Sequence, residues 1–487
     1  MYIVKSVTIF IFFISERILN MFKIILLLIY IALIIAVLFM ERKTPTEAVL
    51  WVLVLICIPY AGIILYIIFG STISIKLTSF FRRKRLKEKD KLFDPYDSAV
   101  SDSDLSSEDL QVIHFNSVYN NCDLTSYNDI LVYTDGVSHY EQLFEDIQNA
   151  QNCIFIEYYT IHNDRVGHAL ADALTKKAKE GVKVLVLMDY IANISTPKKM
   201  FQPLIEAGGR VIRIKPYLTH FRSHRKIVTI DHFISYIGGM NIGEKYANLD
   251  NIKNPWRDTQ VRMEGNCTSV LDEYFLKDWL CSVKNKYRDK TISYINSINI
   301  PSVKHSKHIC QFIVGGVDTN KESIKMTYLS MIQSAKHKIR IQSPYFIPDA
   351  SILDALKAKA ATGVEIELMI PGIKASFFLD PVTTYYCGQM LEYGAKIHKY
   401  KGYIHAKTMI IDDELCCIGS VNMDMRSLMV DDEVCGIFYD NHFVEKYTSI
   451  YDNDINSCFD YTYDEFRSRS RKERMAEGFF LLFAPLM

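Results

Sequence analysis

The sequence has no excess of charge of either sign. Lys plus Arg and Asp plus Glu each total 56, and the formal net charge is zero. A chain whose main partner is bulk nucleic acid usually carries a basic surplus, so the balance argues against that class while permitting a local basic pocket. Paired-cysteine motifs are missing too. The 11 cysteines are odd in number and scattered, none forms C-x-x-C, and Cys416 and Cys417 are adjacent. That usage fits reduced thiols in the cytosol better than a disulfide framework. No histidine motif carries a second His or Cys at ligand spacing, so a structural or catalytic zinc is not expected.

What the chain does have begins with apolar runs. Ile24–Met40 and Ala48–Gly70 contain no charged side chain. At about 1.5 Å per residue against about 30 Å of hydrocarbon, the second is long enough to span a bilayer and the first just reaches. The loop Glu41–Glu47 contains Pro45, so the pair is expected to form a transmembrane helical hairpin; Pro59 and Gly62 lie inside its second span, which membrane helices tolerate. After it come Arg82, Arg83, Lys84, Arg85, Lys87, Lys89 and Lys91, against only Arg42 and Lys43 in the loop. The positive-inside rule puts everything after Gly70 in the cytoplasm, with the basic run able to lie on anionic headgroups. Val7–Ile14 is apolar but too short to span, and no cleavage site follows it.

Residues 94–108 are acidic and Ser-rich and are expected to be a linker. From about Ile130 strand and helix patterns alternate, which predicts an α/β fold with a mixed sheet flanked by helices. Ile154–Tyr159, Val166–Lys179, Gly181 and Val182–Met188 give strand, helix, stop and strand; Ile339–Gln342, Ser351–Ala361, Gly363 and Val364–Ile370 repeat the order. A repeat at domain length is a duplication, and two like domains can face each other across one cleft. The expected organisation is an anchor over 1–91, a linker over 92–125, and two pseudo-symmetric domains over 126–300 and 301–487. The last segment has Arg467, Arg469, Arg471, Lys472 and Arg474 before an apolar end, which suits either a bilayer surface or a closing segment on the domain.

The chemistry lies in a motif that occurs twice. His224, Lys226 and Asp231 form H-x-K-x-x-x-x-D, followed by Gly238, Gly239 and Asn241; His405, Lys407 and Asp412 repeat it, followed by Gly419, Ser420 and Asn422. The same 181 positions separate 224 from 405, 226 from 407, 231 from 412 and 241 from 422. Residues two apart on an extended segment share a face, so each His and Lys are expected to reach the cleft together from a rigid strand. The glycines are expected to let backbone approach a ligand closely. Two imidazoles, two ammonium groups and two amides around one point suit attack on a phosphodiester. The lysines and asparagines stabilise charge on phosphoryl oxygens, one histidine attacks phosphorus, and the other handles protons. A carboxylate on the far ring nitrogen fixes the tautomer, a role expected of Asp231 and Asp412, which could instead brace the strand.

These residues resemble the phospholipase D superfamily, and within it the bacterial cardiolipin synthases. The resemblance rests on F-I-E-Y-Y, F-R-S-H-R-K-I-V-T-I-D, G-G-M-N-I-G-E-K-Y, S-P-Y-F-I-P-D, Y-I-H-A-K-T-M-I-I-D, G-S-V-N-M-D-M-R-S and the N-terminal apolar pair. It implies that one phosphatidylglycerol gives its phosphatidyl group to a histidine and a second takes it, yielding cardiolipin and glycerol. By the superfamily pattern His224 is the nucleophile and His405 the acid and base. The resemblance implies no metal, nucleotide or other cofactor. The implied partners are phospholipid and the bacterial inner membrane, not nucleic acid. The chain departs from the family pattern at Gln260, where a histidine usually follows W-R-D-T, and at Asp431-Asp432 before Glu433, where N-F-E is usual. Glu433 is kept as a supporting residue; the two aspartates would weaken binding of an anionic substrate if they faced the cleft. The first twenty residues also extend beyond the usual start. The same motifs admit a hydrolytic phospholipase D, transfer to another headgroup alcohol, a membrane-tethered nuclease or a non-catalytic scaffold.

Overall fold

The computed structural model describes residues 2–40, 45–70, 73–86, 105–215, 221–249, 253–295, 297–298, 308–317, 319, 322–374 and 376–487. Two compact units result, one from the first 76 residues and a larger one from Leu77 onward.

In the first unit a helix runs from Tyr2 to Ile35 and continues as a wider turn over Ala36–Met40. The apolar stretch at Val7–Ile14 is thus part of one long helix, whose portion Glu16–Phe39 is long and apolar enough to cross a membrane. The second expected span is not one straight helix. It forms Pro45–Cys57, then Pro59–Leu65 and Tyr66–Gly70, with Ile58 off helical geometry at φ −131° and ψ 68°. Pro59 explains the break, since its ring disfavours helical geometry in the preceding residue and it has no N–H to donate. Beyond the bend the chain folds back, bringing the Trp51 and Tyr66 rings to 5.4 Å. Among the described residues, therefore, one helix meets the length for a crossing rather than two. The loop cations Arg42 and Lys43, Lys87, Lys89 and Lys91, and residues 92–104 of the expected linker lie outside the described residues.

The larger unit is built on a 15-stranded sheet in which the duplication is explicit. From the centre outward the first half runs Thr125–Tyr133, Gln260–Gly265, Ile234–Gly238, Ile227–Ile230, Cys153–Tyr158, Lys183–Asp189 and Arg210–Ile214. The second half follows the same path with His308–Gly315, Glu433–Phe438, Leu415–Gly419, Thr408–Ile411, Lys338–Gln342, Glu365–Pro371 and Lys396–Tyr400, and adds Cys458–Asp460 at its edge. The inner strands are antiparallel and the outer strands parallel, except that the added edge strand Cys458–Asp460 runs antiparallel to Lys396–Tyr400. The halves join where Thr125–Tyr133 pairs antiparallel with His308–Gly315. Each half has its own apolar core, and a third cluster, including Ile237, Val261, Phe312, Ile410 and Phe438, draws on both. Burying a core on both sides of one sheet fixes the halves against each other at about 25 cal/mol per Å² of apolar surface.

Residues 107–119, expected to be linker, form a helix started by a Ser106–Asp109 capping box. Val112 enters the core of the second half, and Asn116 and Thr327 are hydrogen bonded at 2.8 Å. The sequence hides this helix because its apolar face is a narrow strip between polar side chains.

Candidate active site

The motif histidines precede the strands Ile227–Ile230 and Thr408–Ile411 rather than lying in them. Each is pinned by backbone from the opposite half. The His224 N–H donates to the Asp432 carbonyl at 2.8 Å, and the Asp432 N–H to the Arg222 carbonyl at 2.9 Å. In the other half, Tyr403–Ile404 runs parallel to Trp256–Arg257, and the His405 N–H donates to the Arg257 carbonyl at 2.6 Å.

This crossing brings a carboxylate from one half to the imidazole of the other. His224 Nδ1 is 2.8 Å from Glu433 Oε1, and His405 Nδ1 is 2.6 Å from Asp258 Oδ2. Asp231 and Asp412 do not take this role. Asp231 accepts the backbone N–H groups of Gln151, Asn152 and Cys153 at 2.7, 2.6 and 2.9 Å. Asp412 accepts those of Lys336, His337 and Lys338 at 2.6, 2.8 and 2.6 Å. Both sit at positive φ in the turn after the motif strand, at 56° and 53°. Asp tolerates that conformation, and its carboxylate ties the turn to the start of the neighbouring strand. The D of the motif therefore braces the strand.

Lys226 and Lys407 are buried and donate to the carbonyls of His224 and His405, the first at 2.7 Å. Burial lowers Lys226 to about 7 against the pull of Glu433, and Lys407 to about 8 against Asp258 and Glu433. Burial, then Lys407, takes His405 down to about 3 despite Asp258. His224 lies well below its ordinary value through burial and then Lys226 and Lys407. The two carboxylates differ. Burial lifts Glu433 to about 7, whereas in Asp258 the same burial is outweighed by His405 and Lys407, and its pKa falls below the usual value.

His224, His405, Asn241 and Asn422 line one cleft of about 920 Å³, with Tyr159, Trp256 and Tyr403 among its walls. Tyr159 stands edge-on to His224 at 4.7 Å, and Trp256 lies 4.8 Å from His405. The glycines serve close approach to protein rather than to a ligand. A Cβ on Gly238 would lie 2.4 Å from the Thr259 carbonyl, and one on Gly239 would lie 2.1 Å from Asp258 Oδ1. Gly419 meets the Val434 carbonyl at 2.3 Å in the same manner, while Ser420, at the position of Gly239, donates its hydroxyl to Glu433.

The departures from the family pattern sort into different places. Gln260 is wholly buried, outside the cleft lining, and accepts the Met240 N–H at 3.3 Å. Asp431 does line the cleft, paired with Arg426 at 3.1 Å. Asp432 points away from the cleft into a buried group of charges, 2.6 Å from Arg82. Arg82 and Arg85 of the basic run are thus spent on protein, Arg85 donating to the Val283 carbonyl at 3.0 Å. The residues missed from sequence are Asp258, Arg82 and Arg225. Among the described residues no cluster of His, Cys, Asp and Glu fits a metal.

A family profile described as "Cardiolipin synthase, PLD-like domain" matches residues 143–279 and 328–455, one match in each half, and a "Phospholipase_D-nuclease N-terminal" profile matches 28–71. The solved phosphatidylserine synthase of Haemophilus influenzae Rd KW20 superposes with a TM-score of 0.59 over 77% of this chain and 97% of its own, at 14% identity, which shows a shared fold. Fold and site together define a phospholipase D-like phosphatidyltransferase. The major cardiolipin synthase ClsA of Bacillus subtilis (strain 168) is 34% identical over 94% of this chain and 97% of its own length. A cardiolipin synthase of Staphylococcus aureus (strain N315) is 33% identical over 93% of both chains. The chain belongs to the cardiolipin synthase family.

Proposed function

We propose that the protein transfers a phosphatidyl group from one phosphatidylglycerol to the headgroup hydroxyl of a second, releasing glycerol and forming cardiolipin. The observation that carries this is the crossed pair of imidazoles, each held at Nδ1 by a carboxylate of the other half, in one cleft. With Nδ1 donating to Glu433, His224 keeps a lone pair on Nε2 to attack phosphorus. The bond to glycerol breaks as the new P–N bond forms, and His405 gives its proton to the departing oxygen. The incoming hydroxyl then loses its proton to His405 and attacks phosphorus, and the P–N bond breaks.

His405 must carry a proton to begin, although burial and then Lys407 hold its pKa at about 3. Burial is the largest cause, and an anionic phosphodiester raises the value by offsetting the fields of Lys407 and Lys226 that act with it. The ionised Asp258 stabilises the resulting imidazolium, which favours His405 rather than His224 as acid and base. Lys226, Lys407, Asn241 and Asn422 balance charge on the phosphoryl oxygens.

The helix Glu16–Phe39, long and apolar enough to cross a membrane, serves as the anchor in this reading, and the basic residues after it support a cytoplasmic catalytic unit. Ile373, Leu379 and Met487 line the cleft, and Phe377, Phe378, Phe479 and Leu482 nearby in the same segments are more than half exposed. Ring contacts of 5.2–5.4 Å join Phe377, Phe378 and Phe479 to the buried Phe480. The C-terminal tail therefore packs on the domain and also offers an apolar lip through which a diacyl lipid can pass from a bilayer.

Purified enzyme given labelled phosphatidylglycerol as its only lipid tests the reading by mass analysis of the products. Cardiolipin with equimolar glycerol is expected. Phosphatidic acid alone would move the protein to the hydrolases, with the same catalytic residues.

A further inference from the structure

Asp432 is a buried acid beside the site for which the chemistry has no use. It stands between Asp431, which lines the cleft, and Glu433, which holds His224. Its own backbone is one of the links between the halves, accepting from His224 at 2.8 Å and donating to Arg222 at 2.9 Å. Any shift of Asp432 moves both His224 and the carboxylate that orients it.

Its side chain is held from several sides. A Cβ on Gly316 would lie 2.1 Å from Asp432 Oδ1. Arg82 Nη1 holds Oδ2 at 2.6 Å, and Arg225 Nη2 is 3.7 Å from Oδ1. Both arginines also bind Asp278, and Arg225 further donates to the carbonyls of Glu433 at 3.2 Å and Gly315 at 2.7 Å. Two guanidinium groups thus balance two carboxylates out of water. Nearby Glu157, raised to about 8 by burial, adds no net charge at neutral pH. Removing one member of such a group leaves an uncompensated buried charge, whereas replacing a pair by apolar side chains can be neutral.

The other half shows what Arg82 replaces. There the residue before the histidine's carboxylate is Arg257, on the crossing segment itself, and it binds Asp454 at 2.7 and 3.1 Å. The corresponding residue before Glu433 is an aspartate, so the cation must come from elsewhere. It comes from the helix Ile73–Leu86, which starts three positions after Gly70.

We propose that Arg82 is a positioning residue for His224, acting through Asp432 to hold the segment 431–433 in place. The inference rests on His224 as the group that takes the phosphatidyl label. The full-length enzyme is mixed with labelled phosphatidylglycerol and quenched in alkali, where a phosphohistidine survives, and the rate constant for labelling is measured separately from its amplitude. Loss of folded protein lowers the amplitude alone. R82M is expected to slow the rate constant about tenfold, R82K less, and R82M/D432L to restore it to within about threefold of wild type. An unchanged rate constant in R82M overturns the proposal, as does a double variant that is no faster than R82M or does not accumulate. H224A is the control and should take no label; if wild type takes none, the nucleophile assignment fails and this proposal with it.

Discussion

The halves of the catalytic unit share a path through the sheet and a motif, yet they support their histidines differently. His405 is backed by Asp258, a short carboxylate against Gly239, on a segment whose own Arg257 is paired with Asp454. His224 is backed by Glu433, a longer carboxylate held by Ser420, on a segment whose acid Asp432 relies on Arg82. The duplication has kept the paired histidines, lysines and asparagines and rebuilt the groups behind the histidines. What differs is electrostatic as well as geometric, since Asp258 is held ionised while Glu433 is raised to about 7. Two equivalent imidazoles are in this way given unequal environments, which is what distinct roles in one reaction require.

The bluntest way to break the comparison is to remove either imidazole. H224A and H405A should each lose at least about a thousandfold in kcat, and initial rates on phosphatidylglycerol vesicles would show it. H405A should still take label on His224, slowly, whereas H224A should not; equal behaviour would erase the distinction between halves. Next come the crossed carboxylates. D258N and E433Q should lower kcat about a hundredfold with small change in KM, and D258N more than E433Q because Asp258 is the one held ionised.

The motif aspartates should behave in the opposite sense. D231A and D412A remove an acceptor from three backbone N–H groups and should cost about 1–3 kcal/mol of stability. Turnover per folded molecule should stay within about threefold, as thermal unfolding beside active-site titration would report. A large fall in kcat without loss of stability would restore them to the chemistry.

The lysines sharpen the comparison through pH. They are cationic below about 7 and 8 and lose charge as pH rises through those values. Since kcat/KM reports the free enzyme, it should fall on the alkaline side from there, while the alkaline limb of kcat, with a phosphodiester bound, should lie higher. Coincident limbs would mean that the lysines do not face the phosphate. The smallest effect belongs to the apolar lip. F377S/F378S should raise the apparent KM for vesicles about threefold to tenfold and leave a short-chain soluble substrate nearly unaffected.

Much of this was legible in the sequence. The strand, helix, glycine and strand of each half stand within a residue or two of their expected limits, because core strands and capped helices write their period locally. The histidines, lysines and asparagines were marked by their shared offset. The carboxylates behind the histidines were not, because those pairs are 209 and 147 residues apart and depend on how segments of opposite halves cross. A signal was present, since the acids of W-R-D-T and D-D-E recur at 258 and 433. Asp432 and Arg82 lie 350 residues apart, and the basic run read most simply as a topology signal. The second apolar run was legible in its length but not in its continuity. Composition sets the length available for a crossing, whereas Pro59 decides whether that length is one helix.

The central claim is that His224 and His405 divide the work, and it is tested most directly by locating the covalent intermediate. Enzyme quenched in alkali during turnover of phosphorus-labelled phosphatidylglycerol, then digested and mapped by mass, should carry the phosphatidyl group, intact or deacylated by the alkali, on the peptide containing His224. Label on the His405 peptide, or on both equally, would contradict the account.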